Sequence, residues 1–81
     1  MTKGEIVKVE VDYDLFDLNL KDLEGIYVSD LSNGKSLVYF EQNGEWAELK
    51  SEDFTRKNPN HVSKKNRDFI SKIKKLEYTF Q

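Results

Sequence analysis

Two Asn-Gly pairs, Asn33-Gly34 and Asn43-Gly44, stand ten residues apart with β-forming runs on either side. A two-residue hairpin loop demands positive φ at both central positions, which glycine adopts freely and asparagine tolerates. Ile26, Tyr27 and Val28 precede the first pair, Leu37 to Phe40 lie between the two, and Trp46 to Leu49 follow the second. Residues 25–50 are therefore expected to form a three-stranded meander. With a two-residue loop at Asn43-Gly44, Glu41 falls opposite Trp46, Phe40 opposite Ala47, and Val38 opposite Leu49. Val38, Phe40, Ala47 and Leu49 then share one face, and Leu37, Tyr39 and Trp46 the other. Both faces are apolar, so each needs a cover or a partner. Whether Tyr27 or the pair Ile26/Val28 joins the first face turns on the length of the Asn33 loop, which the residues leave open.

The flanking segments are read against that meander. Residues 5–11 alternate, with Val7, Val9 and Val11 on one side, as in a half-buried strand. Residues 12–23 interleave acids with Leu15, Phe16, Leu18, Leu20 and Leu23. They read as an acidic loop with a helical turn, its apolar side chains tucked under the sheet. Residues 51–54 read as a single helical turn with Ser51 as its cap and Phe54 as its anchor. Asn58-Pro59 opens a helix at about residues 59–75, because proline is tolerated at a first helical position. Val62, Phe69, Ile70, Ile73 and Leu76 form its apolar stripe, within about 120° at helical periodicity. Lys64, Lys65, Arg67, Lys72, Lys74 and Lys75 occupy the opposite side. Leu76, Tyr78 and Phe80 alternate, which predicts a final strand over 76–80. The whole reads as a single domain of residues 1–81, mainly β with one amphipathic helix (α+β), the helix inserted before the last strand.

At 81 residues the chain lies near the lower size at which one core sustains a fold unaided. It has no cysteine, which excludes disulfides and thiolate metal sites. It also lacks an apolar run of the roughly 18 residues that a membrane helix needs, and its N-terminus has no signal-peptide pattern. A soluble, cytoplasmic protein is the expectation, with no membrane partner. The net charge of −2 hides an asymmetry. Residues 1–55 hold five lysines against thirteen acids, and residues 56–81 hold eight Lys and Arg against Asp68 and Glu77. Either the two parts attract each other or each faces a different partner.

Little here points to catalysis. His61 is the only histidine, in a polar connector without a serine in a strained turn beside it. Asp12, Asp14 and Asp17 crowd carboxylates without the calcium-loop spacing, and no glycine opens a helix after a strand as a phosphate-cradling loop would. No enzyme activity, cofactor or metal is expected. Two surfaces suit binding instead. Tyr39 and Trp46, joined by Tyr27 in one arrangement of the loop, could grip a proline-rich or cationic segment unless the helix lies across them through Phe69, Ile70 and Ile73. The basic helix side could track phosphates, contact an acidic protein, or be simply solvated, with Asn66 as the one base-reading side chain nearby.

The run Leu23-Glu24-Gly25-Ile26, then Gly34 to Phe40, Glu48-Leu49 and Glu52-Asp53-Phe54 resembles the small Src-homology-3-type barrels, Tudor modules among them. Strand, acidic loop, meander, single turn and final strand is the order of those five-stranded barrels. Phe16-Asp17-Leu18, Leu23-Glu24-Gly25 and Leu37-Val38-Tyr39-Phe40 are similar to the variable chain of ferredoxin–thioredoxin reductase. That family implies a barrel which clasps a catalytic partner and has no chemistry of its own. A Tudor-like module would make Tyr27, Tyr39 and Trp46 the walls of an aromatic cage. The helix between Phe54 and Leu76 departs from these families, which have one turn there. The leading expectation is a non-enzymatic accessory or regulatory module. It would bind a basic protein partner through Asp12, Asp14 and Asp17 and through Tyr27, Tyr39 and Trp46. Nucleic-acid binding by Lys64, Lys65, Arg67, Lys72, Lys74 and Lys75 is the alternative. A third is a phage or mobile-element inhibitor whose acidic surface imitates nucleic acid.

Overall fold

A computed structural model describes the backbone of residues 1–80 and the side chains through Ile73. The chain is mainly β with one C-terminal helix. Its strands are β1 (Ile6–Val9), β2 (Asp14–Leu15), β3 (Leu18–Asn19), β4 (Glu24–Asp30), β5 (Ser36–Phe40), β6 (Glu45–Leu49) and β7 (Phe54–Arg56), and α1 spans Lys64–Phe80. Five strands form one antiparallel sheet in the order β6-β5-β4-β1-β7, while β2 and β3 form a separate hairpin. No helix among the described residues is long and apolar enough to cross a membrane.

The meander forms, but not with the expected loops. Tyr39 pairs with Trp46, Val38 with Ala47 and Ser36 with Leu49, a shift of two residues from the two-residue-loop register. Residues 41–44 make a four-residue turn, closed by the Gly44 N–H donating to Phe40 O at 2.9 Å. Gly34 and Gly44 take positive φ, but Asn33 and Asn43 do not. Each asparagine instead uses its side-chain oxygen to accept from the backbone N–H two residues on, Lys35 at 3.0 Å and Glu45 at 3.2 Å. A two-residue slip leaves every side chain on its face, because the strand period is two. The expected division therefore stands: Val38, Phe40, Ala47 and Leu49 are buried together in the main core. A bulge at Val28, between Tyr27 and Ser29, answers the open question of β4. It turns Tyr27 into the main core and leaves Val28 facing the helix.

The main core gathers Val7, Val9, Leu20, Tyr27, Phe40, Leu49 and Phe54, with Leu15, Leu18 and Leu23 packed at its margin. A second cluster joins Val28 to Ile70 and Ile73 of α1, with Leu37, Tyr39 and Phe69 beside it. One amphipathic helix thus covers the second apolar face of the sheet. Gly25, opposite Val7, has no room for more than hydrogen: a Cβ there would lie 2.5 Å from Val38 Cγ1 and 2.9 Å from Phe40 Cε1.

Four boundaries differ from expectation. The last strand of the sheet is β7, which pairs Phe54 with Val9 and Arg56 with Val7. In sequence it divides between the anchor of the 51–54 turn and a polar connector from Thr55 on, because Phe54 is its one apolar residue. Residues 76–80 are helical, not a strand, so α1 is the last described element and is not inserted before a final strand. No glycine, proline or capping residue separates Ile73 from Leu76, and a growing helix adds one bond per residue at little further cost. The helix starts at Lys64, beyond Pro59: Ser63 Oγ accepts from the Asn66 N–H at 3.2 Å, as an N-cap should. Ser51 caps nothing. The 3-10 turn Ser51–Asp53 is closed by the Lys50 N–H donating to the Asp53 carboxylate at 3.1 Å.

Candidate functional site

Among the described residues, the one strict two-residue hairpin loop lies where no Asn-Gly marks it. Asp14 pairs with Asn19 and Leu15 with Leu18, leaving Phe16-Asp17 as the loop. Phe16 takes φ 59°, a left-handed conformation that costs a side chain with a Cβ on the order of 1–3 kcal/mol. Its ring is not tucked under the sheet but 77% exposed, the most exposed large apolar side chain among the described residues. The hairpin beneath it is firmly seated. Leu20 is fully buried, the Leu20 N–H donates to Tyr13 O at 2.8 Å, and Leu15 and Leu18 pack on the main core. Asp12, Asp14 and Asp17 are all exposed around the tip, and Asn19 Nδ2 donates to Asp12 Oδ1 at 3.4 Å.

The aromatic face is partly closed. Tyr39 and Trp46, a cross-strand pair with ring centroids 4.8 Å apart, meet Phe69 of α1 at 4.7 Å and 6.2 Å respectively. Trp46 nevertheless keeps 39% of its surface exposed. Tyr27 does not join them. It lies in the main core on the other face, where its hydroxyl donates to Asp30 Oδ1 at 2.9 Å. Burial and the Asp30 carboxylate together push its hydroxyl up to about 12. The expected cage of Tyr27, Tyr39 and Trp46 is therefore not assembled, because the bulge at Val28 reverses the side on which Tyr27 falls.

The helix surface is also less uniform than its sequence. Lys64, Lys65, Arg67 and Lys72 are exposed, but Lys65 donates to Glu41 at 2.9 Å. Asn66 is buried, and its amide donates to Gly4 O at 3.0 Å, so it reads no base. The side chains of Lys74 and Lys75 lie outside the described residues.

Glu5 is the residue that sequence reasoning missed. It is fully buried, and Arg56 Nε and Nη2 donate to its two oxygens at 2.9 Å each. The Thr2 N–H donates to it as well. The Arg56 hydrogen bond, stronger than the opposing effect of burial, holds the Glu5 carboxyl down to about 2. No local signal foretells a partner 51 positions away. Among the described residues no group of three or more His, Asp and Glu stands close enough to hold a metal ion. Compared with protein-family models, with curated proteins and with solved structures, the chain matches none of them.

Proposed function

We propose that this chain is a non-enzymatic accessory or regulatory module that binds a basic protein partner through its β2–β3 hairpin. The observation that carries it is Phe16, a phenylalanine held in a strained backbone at 77% exposure, in a segment that also carries the exposed Asp12, Asp14 and Asp17. Strain and an exposed large ring both cost stability, and such costs concentrate where the surface has a binding role. An aromatic anchor at the centre of a charged rim is the usual make-up of an interaction hot spot, and the carboxylates would steer a cationic partner. Trp46, still partly open beside Tyr39, extends the surface available on the opposite face. We further assign the sheet to the Src-homology-3 type. The support is its order of β1, a long loop carrying β2 and β3, the β4–β6 meander, one turn, and β7 as final strand.

The test places a photo-crosslinking benzophenone side chain at position 16 in the living source cell, with position 46 as comparison. Adducts to another protein are expected from position 16 and should disappear on Asp14→Lys/Asp17→Lys. Adducts from position 46 alone would move the interface to the aromatic face and sink the hairpin assignment.

A further inference from the structure

Where the N-terminal segment meets the start of α1, Thr2, Lys3, Asn60, His61, Val62 and Arg67 line an open cleft of about 510 Å³. No carboxylate is among the lining residues. Glu5, which holds Thr2 of the cleft, is buried with both oxygens engaged by Arg56. Among the described residues Lys3 and Arg67 are exposed and take no part in an ion pair. Asn60 Oδ1 accepts from Arg56 Nη2 at 3.3 Å and from Thr2 Oγ1 at 3.4 Å, which leaves the amide N–H groups of Asn60 to donate. Asn60 also holds a left-handed φ of 66°.

Two walls of the cleft are thus tied to the Glu5–Arg56 ion pair, Thr2 through Glu5 and Asn60 through Arg56. Of the remaining polar lining residues, Lys3 and Arg67 are permanently cationic donors. Two cationic donors in a cleft lined by no carboxylate favour an oxyanion, and a guanidinium fork with an ammonium suits the several oxygens of a phosphoryl group. We propose that this cleft binds a phosphoryl group, borne either by a small phosphate ester or by the backbone of a nucleic acid. It stands apart from the hairpin and does not depend on the hairpin assignment.

The experiment follows backbone amide resonances of the full chain while inorganic phosphate, adenosine monophosphate or a short single-stranded oligonucleotide is added at constant ionic strength. Shifts centred on Lys3, Asn60, His61 and Arg67 are expected. Lys3→Glu and Arg67→Glu should each weaken binding about tenfold or more, as loss of a charge-assisted contact does, and Lys72→Glu much less. Saturation by phosphate and the mononucleotide identifies a small ester, and saturation by the oligonucleotide alone identifies a backbone; either supports the site. Arg67→Gln, which adds no charge, replaces Arg67→Glu if the latter unfolds. No shifts with any probe, or a loss in Lys72→Glu equal to that in Arg67→Glu, would overturn it.

Discussion

Glu5 and Arg56 form a fork-to-fork ion pair with two 2.9 Å hydrogen bonds, joining the start of β1 to the end of β7 across the sheet edge. Glu5 is fully buried while the Arg56 side chain stays partly exposed, so neutralising Glu5 gives up two charge-assisted hydrogen bonds, and losing the guanidinium leaves a buried carboxylate unmatched. Glu5→Gln should therefore lower the thermal midpoint by about 10 °C, a large shift for a domain of this size. Arg56→Lys should recover little, since an ammonium cannot close both bonds. Differential scanning calorimetry of the two variants checks this.

The same carboxyl sets an acid limit. Its folded value of about 2 lies below the ordinary 4.5, so its contribution is fully present above pH 4.5 and is lost as pH falls toward 2. Wild type should lose stability across that window, and Glu5→Gln should lose less, so that the two denaturation curves converge near pH 2. Urea titrations from neutral to acid pH read the convergence directly.

Gly25→Ala should destabilise by about 1–3 kcal/mol, because a Cβ at 2.5 Å from Val38 Cγ1 forces the core apart. The backbone of Gly25 has no positive φ, so crowding alone is under test. Val38→Ala in the same chain should return part of the loss, and chemical denaturation of the double variant measures how much.

Phe16→Gly should have opposite effects on stability and binding. Relief of the left-handed φ and of the exposed ring should raise stability by about 1 kcal/mol. Partner capture should fall, as trade-offs at functional sites lead one to expect. A variant that loses both stability and binding would contradict the assignment of Phe16 as a strained anchor.

Phe69→Ala should uncover Trp46. The emission of this single tryptophan should shift to the red and become more readily quenched by acrylamide, with a loss of about 1–3 kcal/mol from the half-buried ring. An unchanged spectrum would mean that α1 does not shield the aromatic pair.

Much of the scaffold could be read from local pattern. The alternation of Val7 and Val9, the split of Val38, Phe40, Ala47 and Leu49 from Leu37, Tyr39 and Trp46, and the apolar stripe of Phe69, Ile70 and Ile73 all depend on side-chain periodicity. Periodicity survives a change of turn type: the loop at Asn43-Gly44 grew to four residues, yet the faces did not move. The site was less legible. Asp12, Asp14 and Asp17 were visible as exposed acids, but nothing in DYDLFDLNL distinguishes the exposed Phe16 from the buried Leu20.

The sequence by itself determined the strand count of the meander, the two-faced sheet and the amphipathic helix, since each follows from spacing within one element. Only the tertiary structure decided which way Tyr27 points and that β7 lies at the edge of the sheet beside β1. It alone paired Glu5 with Arg56 and seated Lys3 near Arg67. Those outcomes depend on a bulge, on an edge-strand pairing and on contacts between residues far apart in the chain. Their free energy exists only once distant segments have met.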